Sequence, residues 1–184
     1  MSGPSGAGKS SVVDGLADRL PFDFSVSMTT RPSRPDEVDG VDYKFVGREE
    51  FEAAIASGAL IEWAEYGGNL YGTPAAGLRQ AAAGGRDILL DIEIVGARNV
   101  HDRFPDATLI WIDAPTRQER ERRLRRRGDT SAADVERRLE LGDRHNVEAR
   151  EFFDYFVVNA DLSAAIDEVV DILSTVPEHP LDPS

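Results

Sequence analysis

Gly3-Pro4-Ser5-Gly6-Ala7-Gly8-Lys9-Ser10 fits the pattern G-x-x-x-x-G-K-[ST] and begins at the third residue of a 184-residue chain. Its glycines let the backbone turn tightly enough for successive N–H groups to point at phosphate oxygens. Lys9 adds a cation for β- and γ-phosphates, and the Ser10 hydroxyl is placed to bind Mg²⁺. Directly behind the loop, Val12, Val13, Leu16, Ala17 and Leu20 recur at helical spacing, so a helix is expected from Lys9 to Leu20. A loop of this type normally follows a buried strand, yet only Met1 and Ser2 precede it. The first core strand is therefore expected to be missing, as in a shortened gene product or a truncated form of reduced stability.

Downstream, alternation predicts a strand over Phe22–Ser27, then an irregular basic loop from Met28 to Gly40 and a short strand at Tyr43–Val46. A helix is expected over Arg48–Ser57. A strand from Leu60 to Tyr66 then turns at Gly67-Gly68-Asn69 and returns through Leu70-Tyr71. Helices and buried strands alternate after that. Helices are expected over Pro74–Ala83, Val95–Arg103, Thr116–Arg126, Ala132–Arg150 and from Leu162, and strands over Asp87–Ile92, Ala107–Ile112 and Tyr155–Val158. Such alternation implies an α/β fold with a parallel sheet flanked by helices.

A net charge of −13 argues against non-specific binding to nucleic acid. No apolar run reaches the length of a membrane span, and the first twenty residues are a phosphate loop rather than a secretory signal. With no cysteine and three scattered histidines, neither a disulfide framework nor a structural metal site is expected, and the cytoplasm is the expected compartment. Lysine occurs only as Lys9 and Lys44, so arginine supplies nearly all the cationic chemistry.

Two arginine clusters stand out. In Ser27-Met28-Thr29-Thr30-Arg31-Pro32-Ser33-Arg34-Pro35, prolines stiffen the backbone around a guanidinium pair suited to a phosphate dianion. In the second, Arg117 to Arg127, most arginines read as a solvated helical face paired with Glu119 and Glu121.

The stretches SGPSGAGKSS, FSVSMTTRPSRPDEVDGVDYKFV, REEF, IEWAEYGGNLYGTP, LLDIEIVGAR, RLRRRGDTS, ERRL and YFVVNADL together resemble the guanylate kinase family, in its order and over nearly all of residues 2–165. The resemblance implies a P-loop NTPase-type core (1–27, 74–116 and 142–184), a small β-rich GMP-binding lobe (28–73) and a helical lid (117–141). It implies phosphorylation of GMP, and of dGMP, by MgATP in purine nucleotide metabolism, by a monomer or homodimer whose partners are these small nucleotides. Gly3, Pro4, Ser5, Gly6, Ala7, Gly8, Lys9, Ser10, Ser11, Arg123, Arg127 and Asn159 would bind ATP. Arg31, Arg34, Tyr43 and Tyr71 would hold the GMP phosphate, while Ser27, Glu62, Thr73 and Glu93 would face guanine. Ser10 and Asp91 would serve Mg²⁺. Lys9, Arg31, Arg127 and Arg138 would act on the transferring phosphoryl group.

Chemistry supports the base assignment. Guanine offers N1–H and N2–H₂ as donors on one edge, which a carboxylate accepts as a pair, whereas adenine would face Glu62 with a lone pair. Glu93 stands where the family usually has aspartate, and Val95 where it often has glutamine. Two rival readings are a non-catalytic interaction module of the same family and a kinase for another phosphorylated acceptor. Such modules characteristically lose the loop lysine or the lid arginines, which this chain keeps.

Overall fold

The structure, a computed structural model, describes residues 1–35, 37–126 and 131–176. In chain order its elements begin with α1 (Lys9–Ala17), β1 (Phe22–Ser25), β2 (Met28–Thr29), β3 (Lys44–Phe45), α2 (Arg48–Ala56), β4 (Leu60–Tyr66), β5 (Asn69–Pro74) and α3 (Ala75–Ala83). They continue with β6 (Asp87–Leu90), α4 (Ile94–Arg103), β7 (Ile110–Asp113), α5 (Arg117–Arg126), α6 (Ala132–Ala149), β8 (Tyr155–Val158) and α7 (Leu162–Thr175). Among the described residues these form two units: residues 1–20 with 108–176, and residues 21–107.

In the first unit β7 and β8 pair in parallel, from Ile110↔Tyr155 to Asp113↔Val158. The strand expected to be missing is represented by a single residue. The Ser2 N–H donates to Ile110 O at 3.0 Å, and the Ile112 N–H donates to Ser2 O at 2.8 Å, a parallel bridge opposite Trp111. That bridge ties the entrance of the phosphate loop to the central strand of the unit. α1 packs on α7, and Gly15 makes the approach possible, since a Cβ there would overlap Ile166 Cδ1. Helices α5 and α6 close over Leu124, Val135 and Leu139. Ser131 caps α6 by accepting from the Asp134 N–H, and Asp161 caps α7 by accepting from the Ala164 N–H.

In the second unit β1 and β6 pair in parallel, Phe22↔Asp87 to Ser25↔Leu90, with α3 against both. The other sheet runs β3-β2-β5-β4, antiparallel except for the β2–β3 pair. Its β4–β5 hairpin turns through Gly67 (φ 59°) and Gly68 (φ 80°), left-handed positions that suit a two-residue hairpin turn. Met28, Phe51, Leu60 and Leu70 form the core of this sheet against α2. The β4–β5 register shifts between Leu60 and Glu62, and Ile61 joins a separate cluster with Ala75 and Leu78. Irregularities of this kind re-aim the next side chain. Here that side chain is Glu62, which is buried.

Several boundaries differ from the sequence expectation. Met28-Thr29, read as the start of a loop, is a strand because it gains partners on both β3 and β5. Pro74 ends β5 instead of opening a helix, and α3 begins one residue later. β6 stops at Leu90, where its partner strand β1 stops at Ser25, so Asp91 and Glu93 lie beyond the strand. Strand alternation therefore does not set their directions, and Glu93 instead takes the N-cap position of α4.

Replacing Phe51, fully buried at the centre of the second unit's core, by Ala removes the largest side chain there. The expected loss is about 3–5 kcal/mol of unfolding free energy, measured by urea titration.

Candidate active site

The phosphate loop owes its shape to three glycines, two through backbone conformation and all three through close approach. Gly6 (φ 88°) and Gly8 (φ 86°) lie in the left-handed region, and Gly8 is the N-cap of α1. A Cβ at Gly3 would run into the Ile112 carbonyl, one at Gly6 would approach Arg120 O to 2.8 Å, and one at Gly8 would overlap Asn159 Nδ2. The loop is thus pressed against β7, α5 and the segment after β8.

Its outer carbonyl is held from two sides. Arg123 Nη1 donates to Ala7 O at 2.9 Å and Asn159 Nδ2 donates to the same oxygen at 3.0 Å. Arg123 Nη2 donates to Asn159 O at 2.8 Å, and its Nε to Glu119 Oε1 at 2.7 Å. Turning a carbonyl outward in this way leaves neighbouring amides to face inward, the geometry that binds anions. Arg122 also pairs with Glu119, through two bonds of 2.7 and 2.6 Å. The hydrogen bonds from Arg122 and then Arg123 hold the Glu119 carboxyl down at about 2.

Beside the loop lies a cleft of about 350 Å³ lined by Gly6, Gly8, Ser11, Arg123, Asn159 and Leu162, with Arg122 and Arg126 on its rim. Sequence reasoning left those last two arginines as solvated, because no motif marks them. Arg120, a member of the same arginine run, is buried. It donates to Asp143 and stands 3.4 Å from Asp113 Oδ1. Its spacing four residues before the core residue Leu124 was the available signal. Arg125 and Arg137 do form exposed pairs, with Glu121 and Asp134. Arg138 is half-buried on α6, and Arg127 lies outside the described residues.

The second unit gathers the remaining candidates. Thr29 Oγ1 donates to Leu70 O at 3.0 Å and accepts from the Arg31 N–H at 3.2 Å, while Thr30 Oγ1 accepts from the Leu70 N–H at 2.9 Å. These threonines fasten the arginine loop to β5. Arg31 then meets Glu37 through two bonds of 2.8 Å, from Nη1 to Oε2 and from Nη2 to Oε1. The Arg34 backbone N–H donates to Glu37 Oε2 at 2.8 Å, and its Nη1 to Oε1 at 3.3 Å. Burial alone would raise the Glu37 carboxyl, but the Arg31 hydrogen bond, the Arg34 amide and both positive charges outweigh it and lower it. Hydrogen bonding to Glu37 is likewise what chiefly raises Arg31.

The Arg31 guanidinium lies 5.4 Å from the Tyr43 ring centre and 5.6 Å from that of Phe45. The Tyr43 and Tyr71 rings meet edge-to-face at 6.1 Å. Burial, followed by the nearby Glu93 charge, pushes the Tyr43 hydroxyl up to about 12, so Glu93 belongs to the same cluster. Glu37, Thr29 and Thr30 are the residues that sequence reasoning missed; the three-residue step Arg31, Arg34, Glu37 was their visible trace.

Glu62 is the other focus. It is 6 % exposed and accepts a hydrogen bond from Thr73 Oγ1. Burial raises its carboxyl, an effect that the Thr73 hydroxyl and amide only partly offset. Gly96 leaves the room it occupies, because a Cβ there would overlap Glu62 Oε2. Ser27, also buried, adjoins Met28, which pairs with Gly72 next to Thr73. Ser10 opens α1 in the first unit, whereas Asp91 follows β6 in the second. Among the described residues no group of three or more His, Cys, Asp or Glu could hold a metal ion.

A family model described as guanylate kinase matches residues 1–176. The guanylate kinase of Synechococcus sp. (strain JA-3-3Ab) is 46 % identical over 174 residues, covering 94 % of this chain and 80 % of that protein. That of Rubrobacter xylanophilus is 46 % identical over 177 residues, covering 96 % and 92 %. The crystal structure of guanylate kinase from Anaplasma phagocytophilum superposes with a TM-score of 0.76 at 33 % identity, covering 94 % of this chain and 81 % of that one.

Because ionised Glu62 is penalised by burial, the folded state binds its proton more tightly than the unfolded state. The penalty is absent below the ordinary carboxylate range and complete above the raised pKa. Glu62→Gln is therefore expected to be more stable than the parent at pH 7, with the difference vanishing as pH falls below that range, in urea titrations across pH.

Proposed function

Because this chain belongs to the guanylate kinase family and is an ATP:GMP phosphotransferase, we propose that its first unit holds the phosphoryl donor and its second unit the acceptor. The observation that carries the acceptor assignment is Glu62, a buried carboxylate beside Thr73 in the same unit as the Arg31–Arg34 pair. Such a group binds the N1–H and N2–H₂ edge of guanine as a pair of charge-assisted hydrogen bonds. With adenine it meets a lone pair and stays unpaired, which is the costly case for a buried acceptor. Ser27 and Glu93 complete the guanine contacts. Arg31, Arg34, Tyr43 and Tyr71 take the phosphate.

In the proposed reaction an oxygen of the GMP phosphate bonds to the γ-phosphorus of ATP as the bond to the β-phosphate oxygen breaks, giving GDP and ADP. That oxygen is already anionic near neutral pH, so no side chain need remove a proton. Catalysis then rests on positioning and charge. The loop's remaining backbone N–H groups (Pro4 has none, and that of Ala7 donates to Pro4 O at 3.0 Å), with Lys9 and Ser11, hold the donor phosphates. Arg123 and Asn159 keep the loop in the anion-binding conformation. Arg138, together with Arg127, neutralises charge on the migrating group.

Bound Mg²⁺ would add charge neutralisation across the phosphates. The donor set fits that role. Mg²⁺ takes most of its oxygens from nucleotide and water and asks the protein for one or two; Ser10 in the first unit and Asp91 in the second each carry an oxygen of the kind it takes. Closure of residues 28–73 and 117–141 over the nucleotides would exclude water and suppress hydrolysis of ATP. Among the described residues no helix is long and apolar enough to cross a membrane. A cytoplasmic monomer or homodimer acting in purine nucleotide supply completes the reading.

A coupled assay with MgATP and each of GMP, dGMP, AMP and UMP tests it. GMP and dGMP are expected to turn over, with AMP slower in kcat/KM by about 10³-fold or more. A preference for AMP would refute the role given to Glu62.

A further inference from the structure

The geometry points to Glu37 as a positioning residue for the acceptor: its carboxylate fixes the Arg31 and Arg34 guanidinium groups so that the side edge of Arg31, its Nε and one Nη2 proton, is presented to the GMP phosphate. This rests on the assignment of those two arginines to the acceptor phosphate. It starts from a count of donors. An arginine carries five N–H bonds. Both Nη1 protons of Arg31 are used, one on Pro32 O at 2.7 Å and one on Glu37 Oε2 at 2.8 Å. One Nη2 proton goes to Glu37 Oε1 at 2.8 Å. What remains is the second Nη2 proton and the Nε proton. Those two lie on a single edge of the planar group and match a pair of phosphate oxygens.

Glu37 therefore grips the end of the guanidinium and leaves the side edge for a ligand. Tyr71 also interacts with this guanidinium and would share that edge with the phosphate. The plane is held from its face by Tyr43 and Phe45, at 5.4 and 5.6 Å. The carboxylate also binds the Arg34 backbone N–H and its Nη1, so one side chain sets both cations and the chain between them.

Two guanidinium groups three residues apart repel each other, and a ligand-free loop carrying them would spread. Glu37 removes that repulsion before the phosphate arrives. Its side chain is only 11 % exposed, so water does not compete strongly for it. A glutamine at this position would keep the size but put an NH₂ where one of the two acceptors stands, against an arginine N–H.

The experiment compares parent, Glu37→Gln, Glu37→Asp and Arg31→Gln. Each is read by steady-state kinetics in GMP and MgATP and by calorimetric titration with GMP and with guanosine, which lacks the phosphate. For Glu37→Gln the KM and Kd for GMP are expected to rise about tenfold or more, from loss of a charge-assisted pair. Guanosine binding and the KM for MgATP should stay within about twofold, the range of an undisturbed site. Intact guanosine binding also shows that the unit has folded. Glu37→Asp should bind GMP with an affinity between those of parent and Glu37→Gln. An unchanged or lower KM for GMP in Glu37→Gln, or an equal loss of guanosine and GMP binding, overturns the proposal. If Arg31→Gln also leaves GMP binding unchanged, the phosphate assignment itself has failed; if Arg31→Gln alone weakens it, only the role of Glu37 has.

Discussion

A loop of peptide groups binds phosphate only if its amides face inward, and that requires its carbonyls to be occupied elsewhere. In this chain the requirement falls on Ala7 O, held by Arg123 Nη1 and Asn159 Nδ2. Those two residues come from α5 and from the segment after β8, more than a hundred positions along the chain. The order of the first unit follows from this. β7 must carry the loop's entrance through the Ser2 bridge, α5 must lie against Gly6, and Asn159 must emerge beside Gly8. The three glycines are as much a condition of close packing as of backbone conformation.

The second unit solves a related problem with side chains instead of amides. Thr29 and Thr30 lock the base of the arginine loop to Leu70, and Glu37 arranges its tip. The shifted register ahead of Glu62 and the missing side chain at Gly96 make a place for a carboxylate that burial disfavours. That penalty is paid within the unit by the apolar clusters around Phe51 and Ile61. The guanine contact proposed for Glu62 depends on dryness, and dryness is what makes the carboxylate destabilising.

What the sequence showed, and what it hid, divides by range. Element types were legible wherever periodicity was strong, as in α7 with Ala165, Ile166 and Val169 on its inner face. The phosphate loop and the two arginines were legible because glycine and proline announce backbone geometry locally. Glu37 was not, because a lone glutamate in an irregular loop has no periodic mark and its importance arises from paired contacts to Arg31 and Arg34 across a turn. Arg120 was not singled out for the converse reason. A run of arginines looks solvated, and only the packing of α5 on α6 decides which member turns inward. The extra strand at Met28-Thr29 was hidden because two residues carry no alternation, and its pairing partners lie sixteen or more positions away.

One device recurs in both units and bears on the chain's acidity. Arg31 and Arg34 share Glu37, Arg122 and Arg123 share Glu119, and Arg117 and Arg120 share Asp143. Each shared carboxylate thus cancels one of the two positive charges beside it before any ligand arrives, and what remains contributes a long-range positive field that is small against a net charge of −13. A polyanion such as a nucleic acid, which binds through summed charge, finds little to hold. A compact phosphate finds fixed N–H directions, which depend on geometry rather than on net charge. Pre-pairing each guanidinium with a carboxylate therefore selects for small, shaped anions, and it explains how a strongly acidic protein can still be a phosphate-binding one.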